Sequence, residues 1–156
     1  MIYVGVDPGQ KGGYAVISTS ETGQAVFAYP WDDTFFVTEM QALSQMGNSI
    51  VAAVEKVGAM PHQGVTSTFH FGENYGFILG TLSARGIPYQ LVPPRKWKAE
   101  FSLDNDKQKS IQTAHRLFPD VDLKRTERCR VDSDGIAEAL LLAEYARRHF
   151  GEGYVE

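Results

Sequence analysis

"VGVDPGQKGG", residues 4–13, sets a carboxylate at the end of an apolar run and follows it at once with Pro, Gly and a Gly pair. The run before it, Ile2 to Val6, is β-rich and reads as a central strand. Pro8 and Gly9 stop that strand, and Gly12-Gly13 open a return strand through "GGYAVIST" (12–19). After "SETG", "QAVFAYP" (24–30) completes a three-stranded antiparallel meander. Asp7 is then the anomaly. A carboxylate flanked by buried strand is costly unless it is paired or bound to a cation.

Further along, "DTFFVTEMQALSQM" (33–46) has helical apolar spacing and stops at Gly47-Asn48. "SIVAAVEKV" (49–57) is a continuous apolar run of strand length, as expected for a strand covered on both faces. A loop, "GAMPHQGVTS", leads to a helix at about 68–85, and "IPYQLVPP" (87–94) reads as the last strand. "RKWKAEF" begins a basic turn or short helix, and "DKQKSIQTAHRLF" (106–118) is an amphipathic helix. "PDVDLKRTERCRV" reads as a polar, basic loop before a final helix at about 133–149. The order βββαβαβαα predicts one three-layer α/β domain over residues 1–156, built on a mixed sheet. Within the second helix Gly72, Gly76 and Gly80 share a face, at a cost of roughly 1 kcal/mol each relative to Ala. Close packing of that face on the sheet is the expectation, with close approach of a ligand backbone the other reading.

The 156 residues suffice for a substantial core. No stretch approaches the roughly 20 apolar residues of a membrane span, and the opening residues read as strand, not as a secretory leader. A single cysteine, Cys129, leaves no internal disulfide and fits a reducing cytoplasm. The net charge of −4 conceals a segregation. Residues 1–84 carry two bases against seven acids, residues 85–131 eleven against six, and residues 132–156 two against six. The middle segment is a candidate polyanion footprint, although an ordinary solvated surface has the same composition.

Two predicted strands end in acids, Asp7 and Glu55, and on neighbouring strands these point to a shared purpose. In the last helix, "VDSDGIAEALLLA", Asp134 and Glu138 are i, i+4 and share a face, with Asp132 at the helix entry. Asp132 and Asp134 also suit plain N-terminal capping. Glu138 does not, because it interrupts an apolar run. Oxygen ligands gathered without a Cys/His set suit Mg²⁺ or Mn²⁺ rather than zinc. His62, His70, His115 and His149 are scattered and show no ligand spacing. Paired Mg²⁺ ions held by such acids are an apparatus for in-line phosphodiester hydrolysis.

The ordered set "VGVDPGQKGGYAVI", "AAVEKV", "PHQGVTSTFHFGENYG", "VPPRKWK", "DKQKS" and "DGIAEALLLAEY" resembles the RuvC-type Holliday junction resolvases of the RNase H-like superfamily, nearest to their small phage-encoded branch. The resemblance spans nearly the whole chain. It implies a five-stranded mixed sheet flanked by helices, and a cytoplasmic homodimer that cuts strands of like polarity across four-way DNA with two Mg²⁺ ions, Mn²⁺ substituting. Asp7 and Glu55 match the first two metal-binding acids, and Glu138 matches the acid of the last helix. The family often carries a further acid three or four positions earlier. The three-back position is Gly135, so Asp134 is assigned, with Asp132 the alternative. Lys98 and Lys107 match basic positions near the scissile phosphate, Lys107 as a catalytic group. The remaining expected DNA contacts are Lys11, Arg95, Lys96, Lys109, Lys124, Arg125, Arg128 and Arg130. The aromatic that bacterial members place three residues after the second acid is Gly58 here. Phe69 or Phe71 could take that role, although both read as core. Other readings of the same acids are a nuclease for RNA–DNA hybrids and a non-catalytic junction-binding protein. A sugar-kinase-like phosphate turn at "DPGQKGG" needs a longer, duplicated chain.

Overall fold

The computed structural model describes residues 1–151. Five strands, β1 (Ile2–Asp7), β2 (Gly13–Ser20), β3 (Gly23–Pro30), β4 (Ile50–Glu55) and β5 (Tyr89–Val92), form one mixed sheet in the order β3-β2-β1-β4-β5. β1, β2 and β3 are antiparallel neighbours, whereas β1, β4 and β5 run parallel. The helices are α1 (Asp33–Gln45), α2 (Val65–Ala84), α3 (Pro94–Glu100), α4 (Lys107–Leu117) and α5 (Asp134–His149).

Strand alternation sorts the core into two layers. Ile2, Val4 and Val6 face α1 and α2 together with Val16, Ala52 and Val54. Tyr3, Ile17, Val51 and Ala53 face the other way, onto Trp97 of α3, Ile111 of α4 and the apolar body of α5. Asp7 and Glu55 fall in the odd-numbered set and therefore emerge on the α5 side. The parallel register Val6↔Val54 brings the two strand ends out side by side. α5 is buried around most of its circumference, from Ile136 through Ala143 except at Glu138. It lies so close to β1 that a Cβ on Gly5 would stand 2.1 Å from the Ala139 carbonyl oxygen and 2.2 Å from the Ala143 nitrogen.

Four expectations change. β4 ends at Glu55 rather than running on to residue 57, and α2 begins at Val65, three residues early, behind a Gly64 cap with no side-chain bond. The α2 glycines do not pack: Gly72, Gly76 and Gly80 are exposed, and among the described residues a Cβ at any of them would meet nothing within 4 Å. Ile78 and Leu82 are its fully buried residues, and Tyr75 and Leu79 pack partly against the same layer. Nor are the two phenylalanines core. Phe69 is 65% exposed, and Phe71 is half-buried with its ring edge 3.3 Å from where a Cβ on Gly9 would stand.

Candidate metal centre and nucleic-acid interface

Asp7, Glu55 and Glu138 converge at the open ends of β1 and β4, each with a carboxylate oxygen within 4.8 Å of the others. They line a cleft of about 610 Å³ whose walls include the 8–12 turn and Lys107. The turn is anchored from outside, its Gly9 N–H donating to Asn74 Oδ1 of α2 at 2.9 Å. From the other side Arg125 Nη2 donates to the Gly12 carbonyl at 3.0 Å. Gly135 lets the start of α5 touch this turn, since a Cβ there would lie 2.1 Å from the Lys11 carbonyl oxygen.

Negative charge in the cleft is under-compensated. Burial, with Glu55, Glu138 and Asp134 nearby, holds the Asp7 carboxyl well above the usual carboxylate range against the opposing charge of Lys107. Burial raises Glu55 as well, despite the Trp97 N–H bond and the charges of Lys98 and Lys107. Glu138 is raised by burial and by Glu55, while Lys107 and Lys98 pull it back. Three hard oxygen donors sharing a proton-attracting cleft suit a small divalent cation, which would relieve the repulsion that raises them.

Asp134 stands beside this group, its carboxylate taken by the Lys107 ammonium. That bond is the first reason Lys107 sits above its usual range. Asp132 is not brought into the cluster. Its carboxylate accepts from His115 Nε2–H at 2.7 Å, with Lys124 3.7 Å from its other oxygen, and so ties the basic loop to α4. Lys98 bonds Asn105 Oδ1 at 3.2 Å and stands 5.6 Å from the Trp97 ring centre. Lys109 is engaged by Asp104. Arg95 and Lys96 flank a separate shallow depression with Tyr145 and His149, away from the acids. Lys11, Arg128 and Arg130 are exposed, whereas the half-buried Arg125 serves the turn through Gly12.

Two groups at the acids were missed in the sequence. Trp97 Nε1 donates to Glu55 Oε2 at 2.8 Å, and Ser110 Oγ donates to Glu138 Oε1 at 3.4 Å. An indole inside the basic run "RKWK" was the available signal for the first; nothing in the sequence marked Ser110.

No protein-family model matches this sequence, and no curated protein matches it. Solved structures do. RuvC of Thermus thermophilus superposes with a TM-score of 0.57 at 20% identity, covering 95% of this chain and 96% of its own. The fold is that of RuvC. The T. thermophilus RuvC structure in complex with a Holliday junction substrate superposes with a TM-score of 0.55 at 17% identity, over 96% of this chain and 97% of its own. In this RuvC fold the three acids leave the central strands and the last helix on one side of the sheet, with Lys107 lining their cleft and the Lys98 charge acting on Glu55 and Glu138.

Proposed function

We propose that this protein is a divalent-metal-dependent endonuclease that resolves four-way DNA junctions as a homodimer. The convergence of Asp7, Glu55 and Glu138 in one cleft of a RuvC fold carries the reading. Asp7, Glu55 and Glu138 would hold the metal, Mg²⁺ or Mn²⁺ and two ions at full occupancy, with Asp134 completing the set. When bound, the metal supplies Lewis-acid stabilisation of the charge that develops on a phosphodiester under in-line attack by water. The chain's own part is positional. Lys107, between Asp134 and the three acids, fixes the Asp134 carboxylate and presents a cation to an approaching phosphate. Lys98, beyond Glu55, offers a second cation on the same flank. The α3–α4 helices and the exposed Arg128 and Arg130 extend a basic surface for the DNA arms, so binding weakens as salt rises.

Pairing of two copies is supported by α2. Val65, Phe69, Gly72, Gly76 and Gly80 form an exposed stripe along it, with open space above each glycine. A two-fold dimer suits the two-fold symmetry of a four-way junction. No helix among the described residues is long and apolar enough to cross a membrane.

The test is incubation with four-way, three-way and linear duplex DNA and with an RNA–DNA hybrid, in Mg²⁺ or in EDTA. The expected result is paired cuts in the four-way substrate with Mg²⁺ alone. Asp7→Asn is expected to abolish cutting while leaving junction binding intact. Preferential cutting of the hybrid, or normal cutting by Asp7→Asn, overturns the assignment.

A further inference from the structure

Trp97 is fully buried, at 0% exposure, yet its one polar atom is not aimed at a backbone carbonyl of the core. It crosses from α3 to the end of β4 and donates to Glu55 Oε2 at 2.8 Å. An indole N–H is a donor only, so it has no alternative role to switch into. Ser110, 1% exposed on α4, is set the same way toward Glu138 Oε1, through a longer bond of 3.4 Å. Thus α3 and α4, which approach the cleft from outside the sheet, each hand one donor to one oxygen of one acid.

We infer that Trp97 is a positioning residue that selects the cation by holding Glu55 to one-oxygen coordination. The inference rests on the reading of Glu55 as a metal ligand. A carboxylate whose Oε2 is engaged by a short, buried N–H bond presents its other oxygen to an incoming ion and resists swinging round to offer both. Mg²⁺ demands a near-octahedral shell at about 2.0–2.1 Å and takes carboxylates through single oxygens, whereas Ca²⁺, at about 2.3–2.6 Å, readily accepts both oxygens of one carboxylate. Fixing the rotation of Glu55 therefore favours the smaller ion. The same indole carries Lys98 near its face, with 5.6 Å between the ammonium nitrogen and the ring centre.

The decisive variant replaces Trp97 with β-(3-benzothienyl)alanine, which substitutes sulfur for the N–H and keeps the bicyclic shape. Trp97→Phe is the simpler companion. Metal-free proteins are titrated calorimetrically with Mg²⁺ and separately with Ca²⁺, without DNA, and their thermal unfolding is recorded without metal. The unmodified protein is expected to bind Mg²⁺. The benzothienyl protein is expected to unfold at the same temperature, to lose about tenfold in Mg²⁺ affinity, within the range for outer-shell partners of metal ligands, and to lose less for Ca²⁺. Its Mg²⁺-to-Ca²⁺ preference then falls. An unchanged preference in a benzothienyl protein of unchanged stability overturns the inference and leaves Trp97 a packing residue. If the unmodified protein takes up no Mg²⁺, the metal-site reading itself fails, and the inference with it.

Discussion

At Asp7, fold stability and chemistry pull in opposite directions. Burial and the neighbouring acids raise its carboxyl well above the ordinary range, so the folded chain holds its proton more tightly than the unfolded chain does. Stability from such a group is present below the unfolded value, near about 4, and is lost as pH rises through the folded one. Metal-free protein is therefore expected to lose melting temperature as pH climbs out of the ordinary carboxylate range. Asp7→Asn flattens that decline, and added Mg²⁺ does the same for the unmodified chain. Parallel melts of the two proteins across pH, with and without metal, measure this. Equal slopes would show that Asp7 carries no such strain. Glu144 behaves oppositely. Burial pushes it up, but bonds from Arg147 and Arg148 at 2.7–2.8 Å prevail and lower it. It therefore adds to the background that the comparison with Asp7→Asn subtracts.

Among the elements, the contact of β1 with α5 fixes the distance from Asp7 to Glu138. Its tolerance is set at Gly5, where a methyl group would meet three backbone atoms of α5 rather than a side chain able to turn aside. Overpacking typically costs about 1–3 kcal/mol, and rigid backbone on the receiving side puts Gly5→Ala at roughly 3 kcal/mol or more. Urea unfolding at fixed pH reads this directly, and a change below about 1 kcal/mol would mean that α5 slides freely. Much of this architecture was legible in the chain. Acids closing the apolar runs at Asp7 and Glu55 declared themselves by residue type, and Glu138 by breaking an apolar helix. Their meeting follows from register and from which helix covers which face. What stayed hidden depends on contacts distant in sequence. Trp97 finds Glu55 across 42 positions, and His115 captures Asp132 across 17. The α2 glycines were misread because periodicity locates a face without saying what lies opposite it, and here nothing among the described residues lies within 4 Å of a Cβ built there.

For the whole molecule, α2 keeps Ile78 and Leu82 fully buried along its 20 residues and is the helix whose Asn74 steadies the 8–12 turn. Pairing of two copies along its bare stripe would join assembly to the site through that one hydrogen bond. Gly76→Arg sets a long cation where close approach is needed. It is expected to give a monomer in sedimentation, with single nicks replacing paired cuts in a four-way substrate. A dimer that persists, with paired cutting, places the interface elsewhere. The contact between Gly135 and the Lys11 carbonyl has a consequence of another kind, in heredity. Any side chain at 135 drives into the turn that follows Asp7, so a fourth acid cannot be acquired there by one substitution. The turn at 8–12, at Lys11 and Gly12, must first be rebuilt.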